Sequence, residues 1–156
     1  MCPQITHEEA VRKTRGPSLP PNLAPCAGPE TGLHHGFKGL QIAASALTAE
    51  ALALATPAST HSRSTEAHNQ DKVSMGTIAA RRTRDCLTLA IDVAAMHLLA
   101  LCQAADLRAQ PLPDPLCGVH RLIRQHSAPV THDRPLHDDI ATIAGLIRRH
   151  SLEDLR

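Results

Sequence analysis

The stretch from about Val73 to Leu107 leaves this chain few ways to fold. It reads as one long helix. Its first turns carry Arg81, Arg82, Arg84 and Asp85, which must meet water or a partner chain. From Cys86 onward it is apolar nearly all round, the pattern of a helix inside a bundle. Helices in globular proteins average about 11–12 residues, so an element of this length favours an elongated bundle over a compact small domain.

A second helix is predicted over Leu33–Ala55. Phe37, Leu40, Ala44, Leu47, Ala51 and Leu54 recur every three or four residues, which draws one apolar stripe down a helix face. Pro57 ends it, because the residue before a proline is driven out of the helical region. Lys38 and Ile42, one turn apart, share another face of the same helix. The two helices form a hairpin over residues 32–110 whose connection, 57–72, is dense in polar groups. Glu66, His68, Asn69, Gln70 and Asp71 bring fixed donor and acceptor capacity into a few consecutive positions. Rigid helices flanking such a loop suggest a supported site; the plain alternative is a solvated connection with an Asx or Ser/Thr cap.

The flanks are simpler. Residues 1–31 carry Pro3, Pro17, Pro20, Pro21, Pro25 and Pro29, a density that reads as an extended arm. A short basic helix at His7–Arg15 is expected to be foreign to the fold. Pro111, Pro113 and Pro115 make a rigid break before residues 111–156, which hold two short helices. Val119, Leu122 and Ile123 mark the first. Ile140, Ile143, Ala144 and Ile147 mark the second, with Asp138 near its start, where a carboxylate suits the helix dipole. There is no internal repeat and no convincing strand, so the class is all-α, an elongated helical bundle built on the long hairpin.

Composition narrows the function classes. A hydrophobic fraction of 42% is globular, yet the 156 residues hold one Phe, no Tyr and no Trp, so Ala, Leu, Ile and Val must fill the core. A net charge of +1 gives no pull toward nucleic acid. Cys2, Cys26, Cys86, Cys102 and Cys117 are widely spaced without a Cys-x-x-Cys, which argues against a zinc finger or a disulfide framework. Free thiols and the lack of an apolar signal region point to the cytoplasm. Leu87–Ala105 raises a membrane question, but Asp92, His97 and Gln103 interrupt it, and an ionised group at mid-bilayer costs about 2.5–3.5 kcal/mol on insertion scales. It reads as a buried helix, with neither membrane nor nucleic acid as partner.

The motifs carry further. His68-Asn69-Gln70-Asp71, followed by Val73-Ser74-Met75-Gly76 and Ile78-Ala79-Ala80-Arg81, resembles the aromatic amino acid ammonia-lyases and aminomutases, enzymes built around a methylidene-imidazolone electrophile. Gly32-Leu33-His34-His35-Gly36-Phe37-Lys38-Gly39 is similar to the helix start that lines the aromatic pocket in that family. Pro57-Ala58-Ser59 and Asp133-Arg134-Pro135-Leu136 also fit. The resemblance runs from roughly Leu19 to Ile147 and covers only the C-terminal portion of the family's longer chain. It implies that Glu66 faces the substrate amine, that Gln70 orients the surroundings of the electrophile with Asn69 in support, and that Lys38 and Ile42 line the ring pocket. It also implies homotetramers. A neutral amide at Gln70 favours phenylalanine or tyrosine over histidine, whose lyases resemble this motif but carry a carboxylate there. His68 reads as a structural loop histidine. His61 and His68 with Glu66 lack the spacing of known metal sites, so no metal is expected.

Two parts of the family's chemistry are missing from these residues. The electrophile forms from Ala-Ser-Gly, and the nearest matches, Ala44-Ser45-Ala46 and Ala58-Ser59-Thr60, lack the glycine. The family's base is a tyrosine, and the sequence has none. The expectation is therefore a C-terminal fragment of an aromatic amino acid ammonia-lyase. It would supply one wall of the site and be inactive alone, with the electrophile formed in an N-terminal portion, and it would pair with itself or with a complementing lyase chain. The alternatives are a fragment of an aminomutase and a non-enzymatic helical oligomerisation module.

Overall fold

Two antiparallel helices carry the molecule, and their register is readable at both ends. In the computed structural model, which describes residues 19–24, 32–69, 73–114 and 116–149, α1 is Lys38–Leu54 and α2 is Gly76–Arg108. Cys86 Sγ reaches the carbonyl of Ala51 at 3.7 Å, and Arg82 Nη1 reaches that of Thr56 at 3.3 Å. At the other end Phe37 joins the cluster containing Leu99 and Ala95. Two shorter helices follow, α3 at Leu116–His126 and α4 at His137–Arg148, and α4 lies along α2. No strand occurs among the described residues, so the all-α expectation holds.

The core sits around the C-terminal half of α2. Ala95, Leu99 and Cys102 meet Phe37 from the start of α1, Ile123 from α3, and Ile143, Ala144 and Leu146 from α4. Small residues at Ala95 and Ala144, both fully buried, let the helices approach without an aromatic filler. Gln103 is buried among them and saturated. Its Nε2 donates to the Val130 carbonyl at 3.0 Å and the Leu23 carbonyl at 3.4 Å, and its Oε1 accepts the Val130 N–H at 3.0 Å. One amide thus pins both the 19–24 segment and the α3–α4 linker to α2. Asp106 ties α3 on as well, accepting from His120 Nε2 at 2.7 Å and Arg124 Nε at 2.8 Å. The linker is closed by Arg134, whose two terminal nitrogens meet the Asp139 carboxylate at 3.0 and 2.8 Å. This pairing, with the Ser127 hydroxyl, holds the Asp139 carboxyl below its ordinary range.

Three expectations are corrected or bounded. First, α1 begins at Lys38, not Leu33. Gly32 and Gly36 have positive φ values of 97° and 54°, and the Asp133 carboxylate takes the N–H groups of His35 and Gly36 at 2.7 and 2.8 Å. A Cβ at residue 36 would lie 2.7 Å from the Asn22 carbonyl oxygen, so only glycine fits this close crossing. Second, α2 is not covered all round. It buries Ala95, Met96, Leu99, Cys102 and Gln103, while Leu87 is 58% and Leu101 46% exposed, because three short neighbours cannot enclose so long a helix. By length and composition α2 would pass as a membrane span, yet its Asp92 pairs with Arg148 of α4 at 3.3 Å. Third, the proposed basic helix at His7–Arg15 lies outside the described residues. Of the N-terminal stretch, Leu19–Ala24 is described: Leu19 is buried, Pro21–Leu23 forms a 3₁₀ turn, and the Asn22 carbonyl accepts the Phe37 N–H at 2.8 Å.

Candidate active-site wall

The loop between the two long helices is built in two tiers. The lower tier is a 3₁₀ turn, Ala58–His61, with Ala58 buried against α2 and the Thr60 hydroxyl donating to the Pro57 carbonyl at 2.7 Å. The Ser62 hydroxyl then donates to the Val73 carbonyl at 3.0 Å and closes the neck. The upper tier follows this neck and contains a further 3₁₀ turn, Glu66–His68.

That turn is strained. Ala67 and His68 lie at φ 52° and 57°, left-handed conformations that side-chain-bearing residues avoid at a cost of about 1–2 kcal/mol each. Two contacts offset it. Ser64 Oγ lies 2.7 Å from His68 Nδ1, and the Asn69 N–H donates to the Glu66 carbonyl at 2.9 Å. His68 therefore fastens the loop, as the structural reading expects. Strain held by specific contacts is a mark of segments kept for function. The Glu66 side chain is exposed and makes no hydrogen bond or ion pair among the described residues; Asn69 is exposed beside it.

Glu66 and Asn69 share this turn. Lys38 is the exposed first residue of α1 and Ile42, one turn on, is 61% exposed. Among the described residues no hydrogen bond or ion pair links the two groups. Gln70 lies outside the described residues. No group of three or more metal-ligating side chains occurs among those described. Cys86, Cys102 and Cys117 are free thiols, and burial pushes the Cys102 thiol up, which keeps it protonated and unreactive.

Sequence reading missed the contacts that set the angle of the Lys38 turn. Asp133 grips His35 and Gly36, its own N–H donates to His34 Nδ1 at 3.2 Å, and the His34 and His132 rings meet edge to face at 5.1 Å. The grip holds the Asp133 carboxyl below the ordinary 3.8 of an aspartate, chiefly through the His35 N–H and then the Gly36 N–H. A depressed folded pKa means that its stabilisation is present in full above the unfolded value and is lost as pH falls through the lower folded one. The block Asp133–Leu136 was visible as a motif, but no local pattern ties it to a turn so far upstream.

A family model described as aromatic amino acid lyase matches residues 6–128. The match begins before His7–Arg15, so that segment falls within the family and the expectation that it is foreign is withdrawn. The chain is 35% identical over 146 residues to a histidine ammonia-lyase of Sorangium cellulosum, covering 93% of this chain and 28% of that protein. It is 42% identical over 145 residues to a tyrosine ammonia-lyase of Cereibacter sphaeroides, covering 90% of this chain and 27% of that one. The fold superposes on a tyrosine aminomutase from Streptomyces globisporus with a TM-score of 0.81 at 34% identity, over 88% of this chain and 26% of that chain. The chain spans little more than a quarter of the length of these proteins. Motif, helical architecture and alignment agree, and the chain belongs to the aromatic amino acid lyase family, which includes ammonia-lyases and aminomutases.

Proposed function

We propose that this chain supplies one wall of the active site of an aromatic amino acid ammonia-lyase, which removes ammonia non-oxidatively from phenylalanine or tyrosine, with histidine as the third candidate. The observation that carries this is Glu66, an exposed carboxylate without a partner among the described residues, held on a strained turn beside Asn69. A carboxylate so placed accepts the N–H groups of the substrate amine and orients it, with the Asn69 amide in support. Lys38, by its stem, and Ile42 pack against the aromatic ring. Gln70 offers a neutral amide near that ring, which favours an apolar substrate over an imidazole. A lyase is preferred to an aminomutase because the histidine and tyrosine ammonia-lyases named above align with nine-tenths or more of the chain.

The family's methylidene-imidazolone group does not fit these residues. Ala44-Ser45-Ala46 lies inside α1, with the Ser45 hydroxyl donating to the Gln41 carbonyl at 3.0 Å, and Ala58-Ser59-Thr60 lies in the first 3₁₀ turn. Neither has the glycine nitrogen that closes the ring, so no step through that group is assigned to this chain. The electrophile and the base that takes the β proton come from outside these residues in this reading.

Assembly follows from surface. Leu33, Ile42, Leu52, Leu87, Leu101 and Leu116 are each between 46% and 72% exposed, more apolar side chain than a lone small protein leaves in water. The chain is expected to be oligomeric, as homotetramer or with a complementing lyase chain, in a cytoplasm where its thiols stay reduced. Light scattering checks this. A monodisperse monomer with a cooperative thermal transition would count against it.

Kinetics of the completed assembly test the site. Glu66→Ala is expected to lower kcat about 10²–10³-fold with a smaller change in KM, and Gln70→Glu to reduce kcat/KM for phenylalanine and tyrosine roughly tenfold by placing a charge beside an apolar ring. Unchanged kinetics in both variants would remove the loop from the site.

A further inference from the structure

The first turn of α1 has no local reason to begin where it does. Phe37 occupies the N-cap position with no side-chain cap bond, and no acidic residue lies in the first turn. Its position is dictated instead by two other segments. Asn22 receives the Phe37 N–H, and the Asp133 carboxylate takes both N–H groups immediately before it. The 133 side is itself anchored, since Val130 is locked in both directions by the buried Gln103 of α2 and Arg134 is paired with Asp139 of α4.

We propose that Asp133 is a positioning residue for substrate: its two-pronged grip on His35 and Gly36 aims the following turn, and so places Lys38 and Ile42 against the aromatic ring. The grip is charge-assisted and bidentate, the strong form of hydrogen bond, and it joins residues 97 and 98 positions apart in the sequence. It makes the α3–α4 linker part of the specificity machinery although the linker touches no substrate. A linker change would then alter substrate binding through the turn that carries Lys38. The role in binding rests on the lyase reading; the grip does not.

Two measurements separate these parts. In the full chain, amide hydrogen exchange is compared for wild type, Asp133→Asn and Asp133→Ala. Residues 35–40 are expected to exchange at least about tenfold faster in Asp133→Ala, with Asp133→Asn between, while the amides of 143–147 in α4 keep their wild-type rates. Unchanged exchange at 35–40 overturns the grip. Uniform acceleration throughout the chain also overturns it, since Asp133 would then act only on global stability.

The second measurement uses the full chain in complex with an electrophile-bearing lyase chain and phenylalanine or tyrosine as substrate. Asp133→Ala is expected to raise KM about fivefold to tenfold with kcat within a factor of two. The double variant Asp133→Ala/Lys38→Ala is expected to be no worse than Lys38→Ala alone, because both changes disable the same contact. A fall in kcat at constant KM, or additive losses, overturns the positioning role. A wild-type complex without turnover overturns the lyase reading, and the role in binding falls with it; the exchange rates then decide whether the grip exists.

Discussion

Purified alone, the 156-residue chain is expected to release no cinnamate from phenylalanine, no coumarate from tyrosine and no urocanate from histidine. Elimination of an amine at neutral pH needs an electrophile that makes ammonia a tolerable leaving group and a base for a weakly acidic β proton. These residues contain no Ala-Ser-Gly to cyclise and no tyrosine. Glu66 offers a carboxylate, but general-base assistance contributes only about 10²–10⁴-fold, far short of the accelerations of about 10⁶-fold and more that enzymes reach. The assay follows product absorbance against protein concentration, with a control for contaminating host lyase. A trace that stays flat alone and rises when the electrophile-bearing portion of a lyase is added supports the reading. Product that rises with this chain alone would overturn it.

The second large effect concerns stability. Ile143 is fully buried in α4, within the cluster formed by Leu99, Ile123 and Phe37. Ile143→Ala removes its methyl and methylene groups from a cluster to which Phe37, Leu99, Ile123 and Ala144 also contribute. A loss of about 2–5 kcal/mol is expected, a large part of the roughly 5–15 kcal/mol that domains possess. The thermal midpoint should fall by about 5–15 °C. Glu50→Ala, on the exposed face of α1, should shift it by less than about 2 °C under the same conditions. Because association adds to apparent stability, the variants are compared at equal chain concentration. Equal midpoints for the two variants would place the core elsewhere.

Periodicity was enough for the helices themselves. The stripe Phe37–Leu54, the run from Val73 to Leu107 and the two short patterns around Ile123 and Ile143 appear as α1, α2, α3 and α4 with ends within a few residues, apart from the start of α1. The loop was legible too, since consecutive polar residues between two helices must form a turn, and Glu66 and Asn69 share it whatever the rest of the chain does. Gln70 lies outside the described residues, and the kinetic test decides its role. α2 is less covered than a helix inside a bundle. Hydrophobicity states what a helix surface favours, not whether the same chain has enough residues to cover it, and Leu87 and Leu101 remain in the open.

What the sequence determined by itself was local: which segments are helical, where prolines stop them, and which groups the loop can offer a ligand. These follow from backbone sterics and from side chains three or four residues apart. Tertiary structure alone decided where α1 begins, because Asp133 and Asn22 capture the N–H groups that would have extended it toward Leu33. It also decided that Gln103 is spent on Val130 and Leu23. The physical reason is common to both. A hydrogen bond between residues far apart in sequence leaves no periodic trace, and its partners are specified only once the core has brought them within 3 Å or so.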